Sequence, residues 1–431
     1  MLNRSKNNFV YWIIVVLIFL EFYGRTFSIL FGTRQFEIID DVISVIILFI
    51  ITIYIMKNAK IKQAILNKPL FIFLIIFLLS AIINIVAIDI ALMQLRSYIL
   101  MIGVYYIIVW SKISNKEIIN LIKLVIILAV PIFLSAIVEY ALGQTILTKT
   151  TRYGTELIQE GMFRSFTLIG NPIDYSNFAI IILTIILASI IEKYKLFKIN
   201  KNIFIFFFIV MFLTLFMSNS RGPIIAFILT LIIVSSLFNL ISKKKLFLFS
   251  ILFLIIMLLF GGTILERLTH FNIESMSTDQ YRVLFFIKSI EIFLDNPLIG
   301  VGPGMYGGWV SINYSPSYIY EMYGFTTDKI SSIDMFFPHL IGELGILGFI
   351  SYMGFFLLPF HFFIKQYKKY HNREVKFISL SILLIIPMLL LIGWFSISLE
   401  TQLVFSLYML ILGLSERYIK NIIKESKCKK N

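Results

Sequence analysis

Asp334-Met335-Phe336-Phe337-Pro338-His339-Leu340-Ile341-Gly342-Glu343 sets an imidazole and a carboxylate four residues apart, just after a proline. Pro338 marks a helix start, and the spacing brings His339 and Glu343 to one face, a turn apart. An imidazole that titrates near neutral pH, oriented by a carboxylate, is suited to accept a proton from a hydroxyl. The same spacing also fits a buried or capping histidine beside an unrelated glutamate.

Three arginines stand in settings that suit an anion. Arg164 opens Arg164-Ser165-Phe166-Thr167-Leu168-Ile169-Gly170-Asn171-Pro172, in which Asn171-Pro172 reads as a turn leading into a helix. Arg221 lies in the polar break Ser218-Asn219-Ser220-Arg221-Gly222-Pro223 between two apolar runs. Arg282 follows Tyr281 at the start of an amphipathic stretch with apolar Val283, Phe286, Ile287, Ile290, Phe293 and Leu294 at helical spacing. A guanidinium fork matches phosphate oxygens; for Arg221 the alternative is a long side chain snorkelling to lipid headgroups. The glycine-rich turn Gly300-Val301-Gly302-Pro303-Gly304 follows Asn296-Pro297, but no strand precedes it, which excludes a dinucleotide fingerprint and a P-loop.

The elements that must position these residues are apolar. Hydrophobic residues make up 59% of the 431 and charged residues 14%, a balance no water-facing surface accommodates. Runs of about 20 apolar residues, enough to cross a bilayer as helix, recur near 9–30, 38–56, 69–88, 91–110, 118–142, 173–191, 203–218, 222–241, 246–264, 336–364, 376–395 and 398–415. The first carries Glu21 and Arg25 and lacks a small-residue cleavage site, so it reads as a retained span. The expected fold is all-α: one polytopic membrane domain over 1–431 with about twelve transmembrane helices.

Basic residues fix the orientation, because short Lys- and Arg-rich connections stay cytoplasmic. Arg4 and Lys6 precede the first span; Lys57, Lys60, Lys62 and Lys68, then Lys112, Lys116 and Lys123, then Lys193, Lys195 and Lys198 fill alternate connections. Lys243 to Lys245, then Lys365, Lys368, Lys369 and Arg373, and finally the tail from Arg417 to Lys430 continue the alternation. Both termini are therefore expected inside, and the net charge of +14 is a topology signal rather than a nucleic-acid footprint. Cys428, in the tail, is the only cysteine, so no intramolecular disulfide forms. This orientation puts Arg164, Arg221, Arg282, His339 and Glu343 on the external side, along with a long loop at 265–335 that carries the amphipathic helix. Glu37, Asp40 and Asp41 also fall outside, where they could serve a metal-assisted transfer or simply stabilise the start of the second span.

Taken in order, Arg164 with Asn171-Pro172, Ser220-Arg221-Gly222, Tyr281-Arg282 with Asn296-Pro297-Leu298-Ile299-Gly300-Val301-Gly302-Pro303-Gly304, and Pro338-His339 with Glu343-Leu344-Gly345-Ile346-Leu347-Gly348 resemble the bacterial O-antigen ligase and polysaccharide polymerase superfamily. Leu340 stands where members commonly carry Asn. The resemblance implies a glycosyltransferase of the bacterial plasma membrane. Its donor would be an undecaprenyl-diphosphate-linked oligosaccharide, its acceptor a glycan hydroxyl, and its partners these and the bilayer, with no nucleic acid and no cofactor. In that reading Arg221, Arg282 and Arg164 hold the diphosphate, His339 with Glu343 serves the acceptor hydroxyl, and no metal takes part. Frequent Ile, Lys and Asn, as in an AT-rich genome, tilt the reading toward a capsule, O-antigen or exopolysaccharide polymerase. The alternatives are a ligase that passes the glycan to a lipid core or protein, and a polysaccharide transporter or flippase, for which Arg96 and Glu139 are the mid-span charges available.

Overall fold

A computed structural model describes residues 2–31, 64–147, 158–159, 162–197, 199–240, 278–314, 319, 322–324 and 335–428. The spans expected at 38–56 and 246–264 lie outside these residues, as do Glu37, Asp40, Asp41 and His270. The other ten expected spans fall on helices: α1 (Leu2–Leu30), α2 (Asn67–Ile83), α3 (Ile88–Ile99) with α4 (Ile102–Trp110), α5 (Asn115–Leu142), α6 (Pro172–Ile191), α7 (Lys201–Met217), α8 (Arg221–Phe238), α11 (Phe336–Lys369), α12 (Arg373–Ile392) and α13 (Gln402–Cys428). Between them come α9 (Thr278–Asp295) and α10 (Gly308–Tyr314), and a ladder pairing Ile158–Gln159 with Met162–Phe163. Among the described residues, six helices are long and apolar enough to cross a membrane, or seven counting α3 and α4 as one broken span.

Local signals explain the helix ends. Ser114 and Glu117 form a reciprocal capping box at the start of α5, and Gly143 in the left-handed region ends that helix. Asn171 caps α6 through Oδ1, which accepts from the backbone N–H of Ile173 at 2.8 Å, with Pro172 in the first turn. Helices α6 and α12 are buried almost all round and pack against each other at the centre, with α7, α8, α11 and α13 around them. Lipid takes the place of solvent on the outer faces, where Phe71, Ile82, Phe206, Leu237 and Leu357 are exposed.

Two expectations change and one is narrowed. Residues 91–110 are not one straight helix: α3 and α4 meet at a 51° bend, so that Tyr98 and Tyr105, in successive helices, serve different clusters. The stripe of Phe286, Ile287, Ile290 and Leu294 on α9 is exposed, as on a helix whose apolar face meets lipid, while the same helix packs on α11 and buries Phe285, Ser289 and Ile292. Glu139, a candidate mid-span charge, is a buried backbone acceptor: its carboxylate takes the N–H groups of Ile146, Phe166 and Thr167 at 2.9, 2.7 and 2.7 Å, pinning the loop that carries Arg164 to α5. That is a structural role, not a translocation path.

Helix α11 is discontinuous. Gly345, at φ 61° and ψ −162°, breaks it and frees backbone groups that an unbroken helix would pair. Residues 297–302 take them up. The N–H groups of Val301 and Gly302 donate to the carbonyls of Gly342 and Glu343 at 3.1 and 3.0 Å, while the N–H groups of Ile346 and Leu347 donate to the carbonyls of Pro297 and Leu298 at 2.9 and 3.2 Å. The glycine-rich turn is thus a backbone clamp on a broken helix.

Candidate active site

The clamp fixes the helical turn that bears His339 and Glu343. The two side chains are fully buried and meet as their spacing requires, with His339 Nε2 3.1 Å from Glu343 Oε1. Tyr98, from α3, donates its hydroxyl to Glu343 Oε2 at 2.8 Å and lies 3.1 Å from His339 Nε2. The backbone N–H of Tyr306 donates to Glu343 Oε1 at 3.3 Å.

On the other edge of the imidazole stands a residue the sequence reading did not single out. Glu400, in the turn between α12 and α13, brings Oε1 to 3.1 Å from His339 Nδ1, off the line of a hydrogen bond, and accepts from Gln94 Nε2 at 3.0 Å. Burial pushes the Glu400 carboxyl above the ordinary carboxylate range, and the facing His339 draws it back. The imidazole therefore sits between two carboxylates, Glu343 from its own helix and Glu400 from a turn about sixty residues further along the chain. Gly307 and Gly308, both at positive φ, close over it: a Cβ on Gly308 would stand 2.6 Å from His339 Cε1 and 3.1 Å from Glu400 Oε2. No side chain but glycine fits there.

The arginines gather at the same end of the bundle. Arg164 is buried, and its Nε donates to the carbonyl of Ser218 at 3.3 Å, while the N–H of Ser165 donates to the carbonyl of Met217 at 2.8 Å. The loop of Arg164 is thereby joined to the hairpin of Arg221, which begins α8. Asn177 Nδ2 donates to Ser398 Oγ at 2.5 Å, and the N–H groups of Phe337 and Phe336 donate to the carbonyls of Gly393 and Ser396 at 2.9 and 3.3 Å. Residues 393–400 are therefore the tie between the arginine side and the histidine side. Arg282 lies in the first turns of α9, and its side chain is outside the described residues. Arg25 of α1 is a further cation at this end, its Nε 3.4 Å from where a Cβ on Gly170 would stand.

Glu400, Gln94 and Tyr98 escaped the sequence reading because no motif contains them, and Arg25 entered it only as a charge in the first span. The usable signal was weak: a carboxylate in a turn of an otherwise apolar stretch, Glu400, is costly near a bilayer unless partnered. Leu340 is buried in the apolar core, so the position next to the histidine contributes packing here.

No curated protein matches the chain. Residues 206–353, from α7 into α11 and including His339 and Glu343, match the family model described as O-antigen ligase. By this match, the segment that carries Arg221, Arg282 and His339, in a chain of helices long and apolar enough to cross a membrane, is similar to the O-antigen ligase family.

Proposed function

We propose that the protein is a membrane glycosyltransferase that moves a glycan from undecaprenyl diphosphate to a sugar hydroxyl, acting as a polymerase of lipid-linked repeats. The observation that carries this reading is the enclosed His339, Glu343, Tyr98 and Glu400 cluster, tied through residues 393–400 to the end of the bundle where the loop of Arg164 joins the hairpin of Arg221. As the bond to the diphosphate breaks, negative charge develops on its oxygens and needs fixed cations aimed at it. Arg221, Arg282 and Arg164 supply them, and His339 with Glu343 belongs to the proton-accepting side. The match to O-antigen ligase supports the donor class, and the same chemistry with a lipid core or protein as acceptor would make a ligase. In a deletion strain, loss of polymer with single repeats retained on the surface supports the polymerase; lipid-linked polymer left untransferred assigns the ligase.

The arginine contact has its own test. Arg221→Lys keeps the charge and loses the planar fork, so losing one charge-assisted hydrogen bond, worth about 1.5–3 kcal/mol, should slow transfer roughly ten- to hundredfold. Arg282→Lys should do the same. Full transfer by both variants in a purified assay would assign these side chains to headgroup contacts instead.

Catalysis on the external face requires a matching topology. In a Cys428→Ser background, Asn313→Cys should react with a membrane-impermeant maleimide in intact cells, whereas Lys195→Cys and Lys369→Cys should react only after permeabilisation. All three positions are exposed on the protein. Labelling of Asn313→Cys only after permeabilisation would refute the orientation and the proposed site together.

A further inference from the structure

We infer that Glu400 is the group that takes the proton from the acceptor hydroxyl, with His339 and Gln94 as the residues that position it. The inference rests on the transfer reaction proposed above and adds a residue outside the segment that matches the family model. A base must come within about 2.6–3.2 Å of the oxygen whose proton it accepts. His339 offers no such approach. Its side chain is fully enclosed, Nε2 is shared between Glu343 and Tyr98, and Nδ1 faces Glu400. Glu343 and Tyr98 are enclosed as completely.

Glu400 is the way out of this cluster. Its side chain keeps 7% of its surface exposed, where those of His339 and Glu343 keep none. Oε1 accepts a hydrogen bond from Gln94 Nε2 and lies 3.1 Å from His339 Nδ1, and Oε2 accepts no hydrogen bond from the described residues. A carboxylate with one oxygen anchored and the other unengaged is poised for a hydroxyl. The bare backbone of Gly308 beside Oε2 keeps side-chain bulk away from that oxygen. Half-buried Thr401 and Gln402 and exposed Phe395 continue the same turn, so Glu400 sits where the cluster meets the surface of the protein.

The step balances without a further reactant. The acceptor oxygen forms a bond to the anomeric carbon while its proton passes to Glu400 Oε2. The bond from the anomeric carbon to the diphosphate oxygen breaks, and its electron pair leaves with the undecaprenyl diphosphate. Glu400 then returns its proton to water or to the departing diphosphate. His339 stays in place throughout, its contacts to Glu343 and Tyr98 fixing the ring against which Glu400 is aligned.

The test uses the full-length chain purified into nanodiscs, with undecaprenyl-diphosphate-linked glycan extracted from a deletion strain as donor and acceptor, and released undecaprenyl diphosphate as readout. Glu400→Gln, nearly isosteric, should turn over roughly 10²–10⁴-fold more slowly with an unchanged donor KM. Glu400→Ala should show the same defect, and sodium formate, a small carboxylate able to occupy the vacated space, should restore part of its turnover; a residue that only supports the fold would give no such rescue. Turnover by Glu400→Gln near that of the wild type, or a Glu400→Ala defect that formate leaves untouched, overturns the assignment while the transfer reaction stands. A wild-type chain that releases no undecaprenyl diphosphate overturns both.

Discussion

Purified His339→Ala protein should transfer glycan roughly 10²-fold more slowly than the wild type, as loss of a positioning group does, while binding the lipid-linked donor with unchanged affinity. Donor affinity is assigned to the arginines, and Arg164 and Arg221 are reached through the loops around Ser218 and Asn171 rather than through the imidazole. Turnover depends on the ring, because removing it takes away the group that faces Glu343 on one nitrogen and Glu400 on the other. The substitution also leaves two buried carboxylates without the partner they share, a change that typically costs about 3–5 kcal/mol if both stay charged. One of them would take up a proton, so the melting temperature should fall without loss of the folded protein. Turnover and donor binding measured on one sample decide the matter. Near-wild-type turnover removes His339 from the mechanism, and parallel loss of turnover and donor binding makes it a residue of the fold alone.

The second large effect should come from a methyl group far smaller than any catalytic side chain. Gly300→Ala should yield little folded protein. Gly300 sits at φ +66°, which costs a residue with a side chain about 1–2 kcal/mol. Its Cβ would also overlap the backbone carbonyl of Glu343, which cannot rotate away as a side chain could. Overpacking costs typically a further 1–3 kcal/mol, so the total is on the order of 2–5 kcal/mol against a usual stability of about 5–15 kcal/mol. Gly143→Ala is the control, since Gly143 has the same left-handed backbone at φ +62° but open space around it. Thermal unfolding in detergent should separate the two variants clearly. Equal melting temperatures would mean that the clamp yields to a methyl group and does not hold the broken helix as rigidly as its four hydrogen bonds imply.

What was legible in the sequence was whatever is local. Hydropathy located the helices, Asn171-Pro172 announced the start of α6, and the four-residue spacing of His339 and Glu343 foretold their contact. The partners of that pair come from residues 94–98, 306 and 400, and no local pattern links positions so distant. Which face α9 buries was not legible for a different reason. In a bilayer the lipid is as apolar as the protein interior, so Phe286, Ile287 and Ile290 can face outward at no cost, and Ser289 turns inward to meet the hydroxyl of Tyr306 at 3.0 Å. Hydrophobic periodicity loses its sense of direction there. The break at Gly345 was hidden too, because a glycine in an apolar helix reads as mere tolerance until the segment that docks on it is seen.

That docking has a consequence for how the chain assembles. A bilayer offers no donors or acceptors to a helix interrupted in its path, and each unpaired backbone group there costs several kcal/mol. On its own, then, α11 is a poor membrane insert; its stable form is a composite of two stretches, residues 342–347 and residues 297–302. The second of these leaves the ribosome first and must wait beside the membrane for the helix it completes. A lesion in the glycine-rich turn would therefore act as a defect of biogenesis, clearing the protein from the membrane before the chemistry at His339 and Glu400 is ever tried.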